Sequence, residues 1–198
     1  MRLIVEPSVL QGEVTIPGSK SHTIRSLVVS MLASGESVIH RPLDSSDTRS
    51  CLAACRALGA TVEEEEHDGV EAWRVYGTGG SPGTPENVID VSNSGTTLRL
   101  VASAAALAPG YTVLTGDYQI RRRPMEPLLK ALKDLGATAF STRPGGRPPV
   151  AIAGPFKGGS TRLEGLTSQY VSSLLLTAPL ATEPVTIDVV RRNEQPYV

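Results

Sequence analysis

The 198-residue sequence has only two cysteines, no marked excess of charge and no long hydrophobic run. Cys51 and Cys55 are four residues apart in a helical pattern, which fits neither a CxxC redox or zinc motif nor a disulfide framework. We expect both to be buried thiols. The three histidines form no metal-binding pattern with other ligating side chains, so we predict neither a metal nor a cofactor.

The charges nearly cancel, with 19 lysines and arginines against 20 aspartates and glutamates and a net charge of −1. This balance gives no general attraction to nucleic acid or to an anionic membrane. No apolar stretch reaches the roughly 18 residues that a membrane span requires, and the first residues lack the pattern of a signal peptide. We therefore expect a soluble, cytoplasmic protein with no nucleic-acid or membrane partner.

What the sequence does contain is an internal repeat. Leu58-Gly59-Ala60-Thr61 recurs as Leu135-Gly136-Ala137-Thr138, and each copy closes an amphipathic helix at its glycine. A second shared block, a serine-bearing turn followed by an apolar helix and a strand, occurs three times, and Ser21, Ser94 and Ser168 in these copies lie 73 and 74 residues apart. These patterns predict repeats at about 12–80, 86–154 and 158–198, the third of them truncated.

The helices of the shared block are apolar or small on nearly every face, as in LVASAAALA and YVSSLLLTAPLA, which is typical of helices buried on most sides. We predict an α/β fold of repeated units with the helices packed inside and the sheets outside. The first residues, MRLIVEPSVLQGEV, alternate like a further strand. Because the third unit ends before its second helix, we expect residues 1–198 to be one nearly complete domain of a larger protein.

Three serine-bearing turns open these helices, at 18–21, 93–97 and 167–169. Free backbone N–H groups and hydroxyls at a helix N-terminus favour anions. Any one of these turns is explained by capping alone, but three in register, if rotation about one axis brings them together, indicate an anion site. Lys20, Arg25 and Arg99 add inward cations. Arg123 can point back toward the turns, whereas Arg121 and Arg122 also fit a solvated face.

The turn in GEVTIPGSKS resembles a nucleotide-binding phosphate loop only superficially. That motif requires a glycine directly before the lysine, and here Ser19 intervenes. The spacing of Gly12 and Gly18 is also one residue too long. The predicted ligand is therefore a small molecule with several anionic groups, suited to arginine and lysine, rather than ATP or GTP.

Four segments taken together resemble the 5-enolpyruvylshikimate-3-phosphate synthase family: PGSKSHTIRSL, NSGTTLRL, GDYQIRRRP and TSQYVSSLLLTAPLA. They occur in the family's order across essentially the whole chain. The resemblance implies transfer of the enolpyruvyl group of phosphoenolpyruvate to the 5-hydroxyl of shikimate 3-phosphate, in the pathway to chorismate and aromatic amino acids. It also implies an inside-out fold of βαβαββ units and a C-terminal second domain that is absent from these residues.

The resemblance further implies roles for individual residues. Shikimate 3-phosphate would be bound by Lys20, Ser21, Arg25, Thr167, Ser168 and Gln169. Phosphoenolpyruvate would be bound by Lys20, Asn93, Gly95, Arg123 and Gln169. Lys20 is the one candidate here for acid or base catalysis. A side chain at Gly95 would crowd the ligand, and this is the family's glyphosate-sensitivity position.

Two alternatives remain. The sister transferase that acts on UDP-N-acetylglucosamine shares the fold but typically has Lys-Asn where this chain has Lys20-Ser21, and a reactive cysteine in the loop corresponding to 116–123, where none occurs. The other is a non-catalytic binding fragment or one half of a split enzyme. We expect this polypeptide alone to bind shikimate 3-phosphate without turnover.

Overall fold

The computed structural model of the chain describes residues 2–67 and 69–190, in which helices and strands alternate in a recurring order. The helices are α1 (Lys20–Leu32), α2 (Ser46–Ala57), α3 (Gly95–Ala105), α4 (Glu126–Asp134) and α5 (Ser168–Thr177). The strands are β1 (Glu36–His40), β2 (Thr61–His67), β3 (Val70–Tyr76), β4 (Ile89–Asp90), β5 (Thr112–Thr115), β6 (Thr138–Arg143), β7 (Arg147–Ala153), β8 (Gly159–Glu164) and β9 (Val185–Val190).

The strands of the described residues form three separate small sheets. The first has the order β1-β3-β2 and is antiparallel, and the second has the order β4-β5-β7-β6. In the second sheet β4 is parallel to β5, while β5 and β6 are antiparallel to β7. The third sheet is the parallel pair β8-β9. Each parallel pair is joined by one inner helix, α3 or α5, as expected for a βαβ crossover.

The core lies between the helices. From Thr97 to Ala106 every residue except Arg99 is buried, and α3 packs against α1, α2 and α5. The small side chains of this helix let its neighbours approach closely. The α/β fold predicted from the sequence, with helices inside and sheets outside, is therefore confirmed.

Helix α5 is less completely buried than α3, although the sequence pattern predicts burial on most sides of both. Its Leu175 is 48% exposed, and Leu180, in the short 3₁₀ helix that follows, is 36% exposed. In the described residues the third unit consists of β8, α5, the short 3₁₀ helix and β9. It has no counterpart there of α2 or α4, so one face of α5 is not covered by a second helix. The side facing α3 is buried, as predicted, with Leu174 and Ser173 at 0% exposure.

The repeated Leu-Gly-Ala-Thr segments end α2 and α4 as predicted. Gly59 and Gly136 have φ angles of 105° and 96°, in the region that residues other than glycine rarely adopt.

The two cysteines are fully buried, which confirms the sequence prediction. A hydrogen bond with Cys51, together with burial, raises the pKa of the Cys55 thiol well above its ordinary value, so this thiol is a poor nucleophile.

The strand predicted for the first residues is wrong. Residues 2–19 form no helix or strand, and their apolar side chains lie in solvent, with Val5 91% and Val9 95% exposed. An alternating pattern becomes a strand only when another strand's edge satisfies its backbone groups, and no described strand pairs with this segment.

The predicted end of the third unit at 191–198 lies outside the described residues. None of the described helices has the length and hydrophobicity to cross a bilayer.

Candidate functional site

Each of the three turns predicted to bind anions begins an inner helix. Ser19 accepts a hydrogen bond from the backbone N–H of His22 at 3.4 Å, and Ser94 accepts one from Thr97 at 3.3 Å. At α5 the cap is Thr167, which accepts from the N–H of Gln169 at 3.4 Å. Because the first turn of a helix has several free N–H groups, these caps leave others for a ligand.

Side-chain contacts join the starts of the three helices. Arg25 of α1 donates to Ser172 Oγ of α5 at 3.3 Å and also to Ser21. Gln169 Nε2 of α5 donates to Thr96 Oγ1 of α3 at 3.1 Å. The N-terminal turns of α1, α3 and α5 therefore meet, and we call this region the three-helix site.

Lys20 lies at this site in an ion pair with Asp47. Its Nζ is 2.7 Å from the Asp47 carboxylate, and the two side chains are 51% and 20% exposed. Asp47 is in the first turn of α2, where the helix dipole favours a carboxylate. Thr97 Oγ1 of α3 donates to the backbone carbonyl of Asp47 at 3.4 Å. One residue of α2 therefore holds Lys20 of α1 next to the start of α3.

The two arginines of the site have no ion-pair partner within residues 2–67 and 69–190. Arg25 bonds to serine oxygens, and Arg99 donates to Gln169 Oε1 at 2.6 Å and to the Gly95 carbonyl at 3.3 Å. The Arg99 guanidinium also lies 5.4 Å from the ring centre of Tyr170. Burial raises the pKa of the Tyr170 hydroxyl, and the Arg99 cation offsets part of that rise, so the ring is neutral beside the cation.

The residues predicted to bind phosphoenolpyruvate surround the start of α3. Asn93 is exposed and Gly95 half-buried in the turn itself. The loop after β5 packs on this turn, because the Asp117 N–H donates to the Ser92 carbonyl at 2.8 Å. Arg123 follows that loop with an exposed side chain that makes no hydrogen bond or ion pair to the described residues. Its contact with a ligand stays a prediction.

At α5, Ser168 is buried and Thr167 half-buried, both in the first turn next to Gln169. Sequence reasoning missed three partners in the site: Asp47, Thr96 and Ser172. Asp47 had a local signal, since it follows Ser45 in a capping box that begins α2. Ser172 had none, because its contact with Arg25 crosses between helices that are far apart in the sequence. Thr96 lies in the predicted turn 93–97, but its contact with Gln169 crosses between helices in the same way.

The described residues contain no group of three or more histidines, cysteines, aspartates or glutamates placed to hold a metal ion. The three-helix site itself contains hydroxyls, amides, cations, helix N-termini and the Asp47 carboxylate. The hydroxyls, amides, cations and helix N-termini among these groups bind oxyanions by charge-assisted hydrogen bonds.

Fold and site together define an α/β protein in which side-chain contacts join the N-terminal parts of the inner helices α1, α3 and α5. The sequence model of EPSP synthase (3-phosphoshikimate 1-carboxyvinyltransferase) matches residues 4–198. The chain belongs to the EPSP synthase family.

Relatives and solved structures agree with this assignment. The chain is 52% identical over its whole length to a 3-phosphoshikimate 1-carboxyvinyltransferase of Acetivibrio thermocellus, covering 46% of that protein. It is 50% identical over 96% of its length to one of Methanothermobacter thermautotrophicus, covering 44%. EPSP synthase from Acinetobacter baumannii superposes on 92% of the chain with a TM-score of 0.79 and 30% identity, over 42% of that structure's chain. The chain thus spans about half the length of these relatives.

Proposed function

We propose that this chain is the N-terminal part of an enzyme that transfers the enolpyruvyl group of phosphoenolpyruvate to the 5-hydroxyl of shikimate 3-phosphate. Family membership supports this activity. The observation that carries it is the three-helix site, where Arg25 and Arg99 lie beside three helix starts without a carboxylate partner in the described residues. Unpaired cations next to helix N-termini suit substrates that carry both phosphate and carboxylate groups.

Shikimate 3-phosphate is assigned to the side of the site formed by α1 and α5. Thr167 and Ser168 would donate to its phosphate from the start of α5, and Ser21 and Arg25 would hold it from α1. The Arg25–Ser172 bond supports this assignment, since it fixes the guanidinium between the two helices. Arginine donates through a planar fork that matches phosphate and carboxylate oxygens.

Phosphoenolpyruvate is assigned to the side formed by α3. Asn93 and Gly95 would frame it, and Arg123 would pair with its phosphate. Lys20 and Gln169 would contact both substrates. Gln169 supports this shared role because its amide lies between α5 and Thr96 of α3.

The reaction would proceed by addition and elimination. The 5-hydroxyl oxygen bonds to C2 of phosphoenolpyruvate while a proton is added to its methylene carbon and the hydroxyl loses its own. The resulting tetrahedral adduct then loses phosphate and a methyl proton, and this restores the double bond. Lys20 would transfer a proton or stabilise the developing charge.

The second domain that the family relatives contain would supply the remaining acid, base and arginine groups. The chain covers 46% of the Acetivibrio thermocellus relative, in keeping with a missing second half. We therefore propose that the isolated chain binds shikimate 3-phosphate but does not turn over. Its cellular place would be the cytoplasm, with small-molecule substrates as its ligands.

Phosphate release tests this division of labour. In one incubation the chain alone is given both substrates. In a second, both substrates are given to the chain mixed with the separately produced C-terminal part of the Acetivibrio thermocellus relative. We expect no release by the chain alone and release by the mixture, which Lys20→Met in this chain would abolish. Release by the chain alone would contradict the need for a second half. A mixture as inactive as its Lys20→Met control would contradict the proposed activity.

A further inference from the structure

Arg99 is a cation of the three-helix site to which no individual substrate contact is assigned above. It lies one turn after Gly95 in α3, and its Nη1 donates both to the Gly95 carbonyl at 3.3 Å and to Gln169 Oε1 at 2.6 Å. It therefore contacts two residues assigned to substrate binding, one on α3 and one on α5. None of the substrate roles above is assigned to Arg99 itself.

Its surroundings are unfavourable for a cation. Arg99 is half-buried, it has no carboxylate partner within the described residues, and its Nε is buried with no hydrogen-bond acceptor among them. The face of Tyr170, 5.4 Å away, offers partial compensation. Placing a charge with an unsatisfied N–H in the interior destabilises the fold, so packing alone does not account for arginine at this position.

The contact with Gln169 determines which way that amide faces. Arginine can only donate hydrogen bonds, so the Gln169 oxygen must face Arg99 and its NH₂ group must face away. One of the two Nε2 hydrogens goes to Thr96 Oγ1 at 3.1 Å, and no described residue accepts the other. Gln169 is thereby presented to the site as a donor, the orientation that an anionic ligand requires.

Gly95 is linked to the same contact. A Cβ atom at residue 95 would lie 3.3 Å from Arg99 Nη1 and 3.8 Å from Ile120 Cδ1. The first distance is shorter than an ordinary van der Waals contact, so the guanidinium would have to move by a few tenths of an ångström. A side chain at residue 95 thus disturbs Arg99 even before a ligand is bound.

We propose that Arg99 is a positioning residue that holds the Gln169 amide as a donor toward the substrates, and that a side chain at residue 95 alters the site through Arg99. The inference rests on the proposed function for the identity of the ligand. The link from Gly95 to Arg99 to Gln169 exists in the ligand-free chain, so it can be measured without any substrate.

The test compares Arg99→Lys with Arg56→Lys. Arg56 is a matched control because it also donates to a carbonyl oxygen, that of Val62, at the far end of α2. Lysine keeps the positive charge but loses the planar fork. The readouts are the side-chain NH₂ resonances of Gln169 in ¹H–¹⁵N spectra, assigned with Gln169→Leu, and the affinity for shikimate 3-phosphate by calorimetry.

We expect Arg99→Lys to shift the Gln169 resonances and to weaken shikimate 3-phosphate binding about tenfold, the loss of one charge-assisted hydrogen bond. Arg56→Lys should change neither. If the wild-type chain binds but Arg99→Lys leaves both the resonances and the affinity unchanged, the inference is overturned and the proposed function stands. If the wild-type chain does not bind, the proposed function fails, and the resonances alone decide the inference.

Gly95→Ala tests the second part of the proposal. It should shift the Gln169 resonances of the ligand-free chain, and the shift should be much smaller in the Arg99→Lys background, because the guanidinium that transmits it is gone. An equal shift in both backgrounds would show that residue 95 reaches Gln169 by another route. No shift in the wild-type background would overturn the transmission through Arg99.

Discussion

The segments that precede α1 and α3 stand at equivalent places in two successive units, but they differ in structure. Before α3, Ile89 lies in strand β4, pairs with β5 and is 5% exposed. Before α1, Val14 and Ile16 have the same apolar alternation and are 79% and 78% exposed, and no described strand pairs with them. The same pattern therefore gives a strand in one unit and an irregular segment in the other.

Among the described residues, the first turn of α1 is held by contacts with the segment between β1 and α2. The chain at Gly18 packs on the segment that follows β1, where a Cβ would lie 2.5 Å from the Arg41 carbonyl oxygen. Thr23 accepts from the N–H of Leu43 at 3.0 Å, and Asp47 holds Lys20. Contacts with the connection to α2 thus hold the first turn of the site, whereas a paired strand precedes the second.

Alanine substitutions at Ile89 and Ile16 give the largest expected difference. Ile89→Ala removes a buried side chain and should lower the free energy of unfolding by about 2–4 kcal/mol. Ile16→Ala removes an exposed one and should change it by less than about 0.5 kcal/mol. Urea unfolding of both variants measures the difference. Similar losses would mean that the segment before α1 is docked in solution as firmly as β4.

A second comparison tests how Lys20 is held. Asp47→Asn removes a carboxylate beside the anion site, so shikimate 3-phosphate should bind about three- to tenfold more tightly at low ionic strength. The gain should shrink in about 1 M salt, where exposed charges are screened. Calorimetric titration of this variant and of the control Asp44→Asn, whose carboxylate pairs with Arg49 instead, measures the effect.

Weaker binding by Asp47→Asn would contradict this expectation. It would mean that the carboxylate is needed to place the Lys20 ammonium group and that its competition with the substrate is secondary. The Asp44→Asn control should leave the affinity unchanged within about twofold, since Arg49 still has Glu64 at 2.6 Å.

The smallest expected effect concerns the contact between α4 of the second unit and β8 of the third, where Thr161 donates a hydrogen bond to the Asp134 carboxylate at 2.9 Å. Burial raises the pKa of Asp134, but hydrogen bonds from Lys130 and Thr161 outweigh it, and the net pKa lies below the ordinary 3.8. The carboxylate therefore stabilises the folded chain fully above about pH 4, and this contribution is lost as the pH falls through the lowered value.

Asp134→Asn should accordingly reduce the free energy of unfolding at pH 7 by less than about 1 kcal/mol. The difference from the wild type should disappear near pH 2, where the wild-type carboxyl is itself neutral. Urea unfolding at the two pH values measures both. A difference of the same size at pH 2 would show that the effect comes from packing of the α4–β8 joint and not from the charge.

The elements set by local signals were predictable from the sequence. Ser19, Ser94 and Thr167 begin helices because their side chains cap the free N–H groups. Gly59 and Gly136 end helices because they adopt positive φ angles. The segment at 2–19 was not predictable in this way, since a strand also depends on a partner strand whose presence the local pattern does not reveal.

The site was predictable to the extent that its residues follow those helix starts. Lys20, Arg25 and Gln169 lie in or one turn after the predicted turns, and contacts of Arg25 and Gln169 link α1 to α5 and α5 to α3. The pairing of Lys20 with Asp47 was not predictable, because it depends on the packing of α1 against α2. The roles of these residues toward the substrates remain predictions.

The central claim is that the three-helix site binds the phosphate of shikimate 3-phosphate. Calorimetric titration of the purified chain with shikimate 3-phosphate, and with shikimate as the phosphate-free control, tests it most directly. We predict saturable binding of the phosphorylated compound only, abolished by Arg25→Ala and retained by Arg56→Ala. Equal binding of both compounds, or binding that survives Arg25→Ala, would contradict the account.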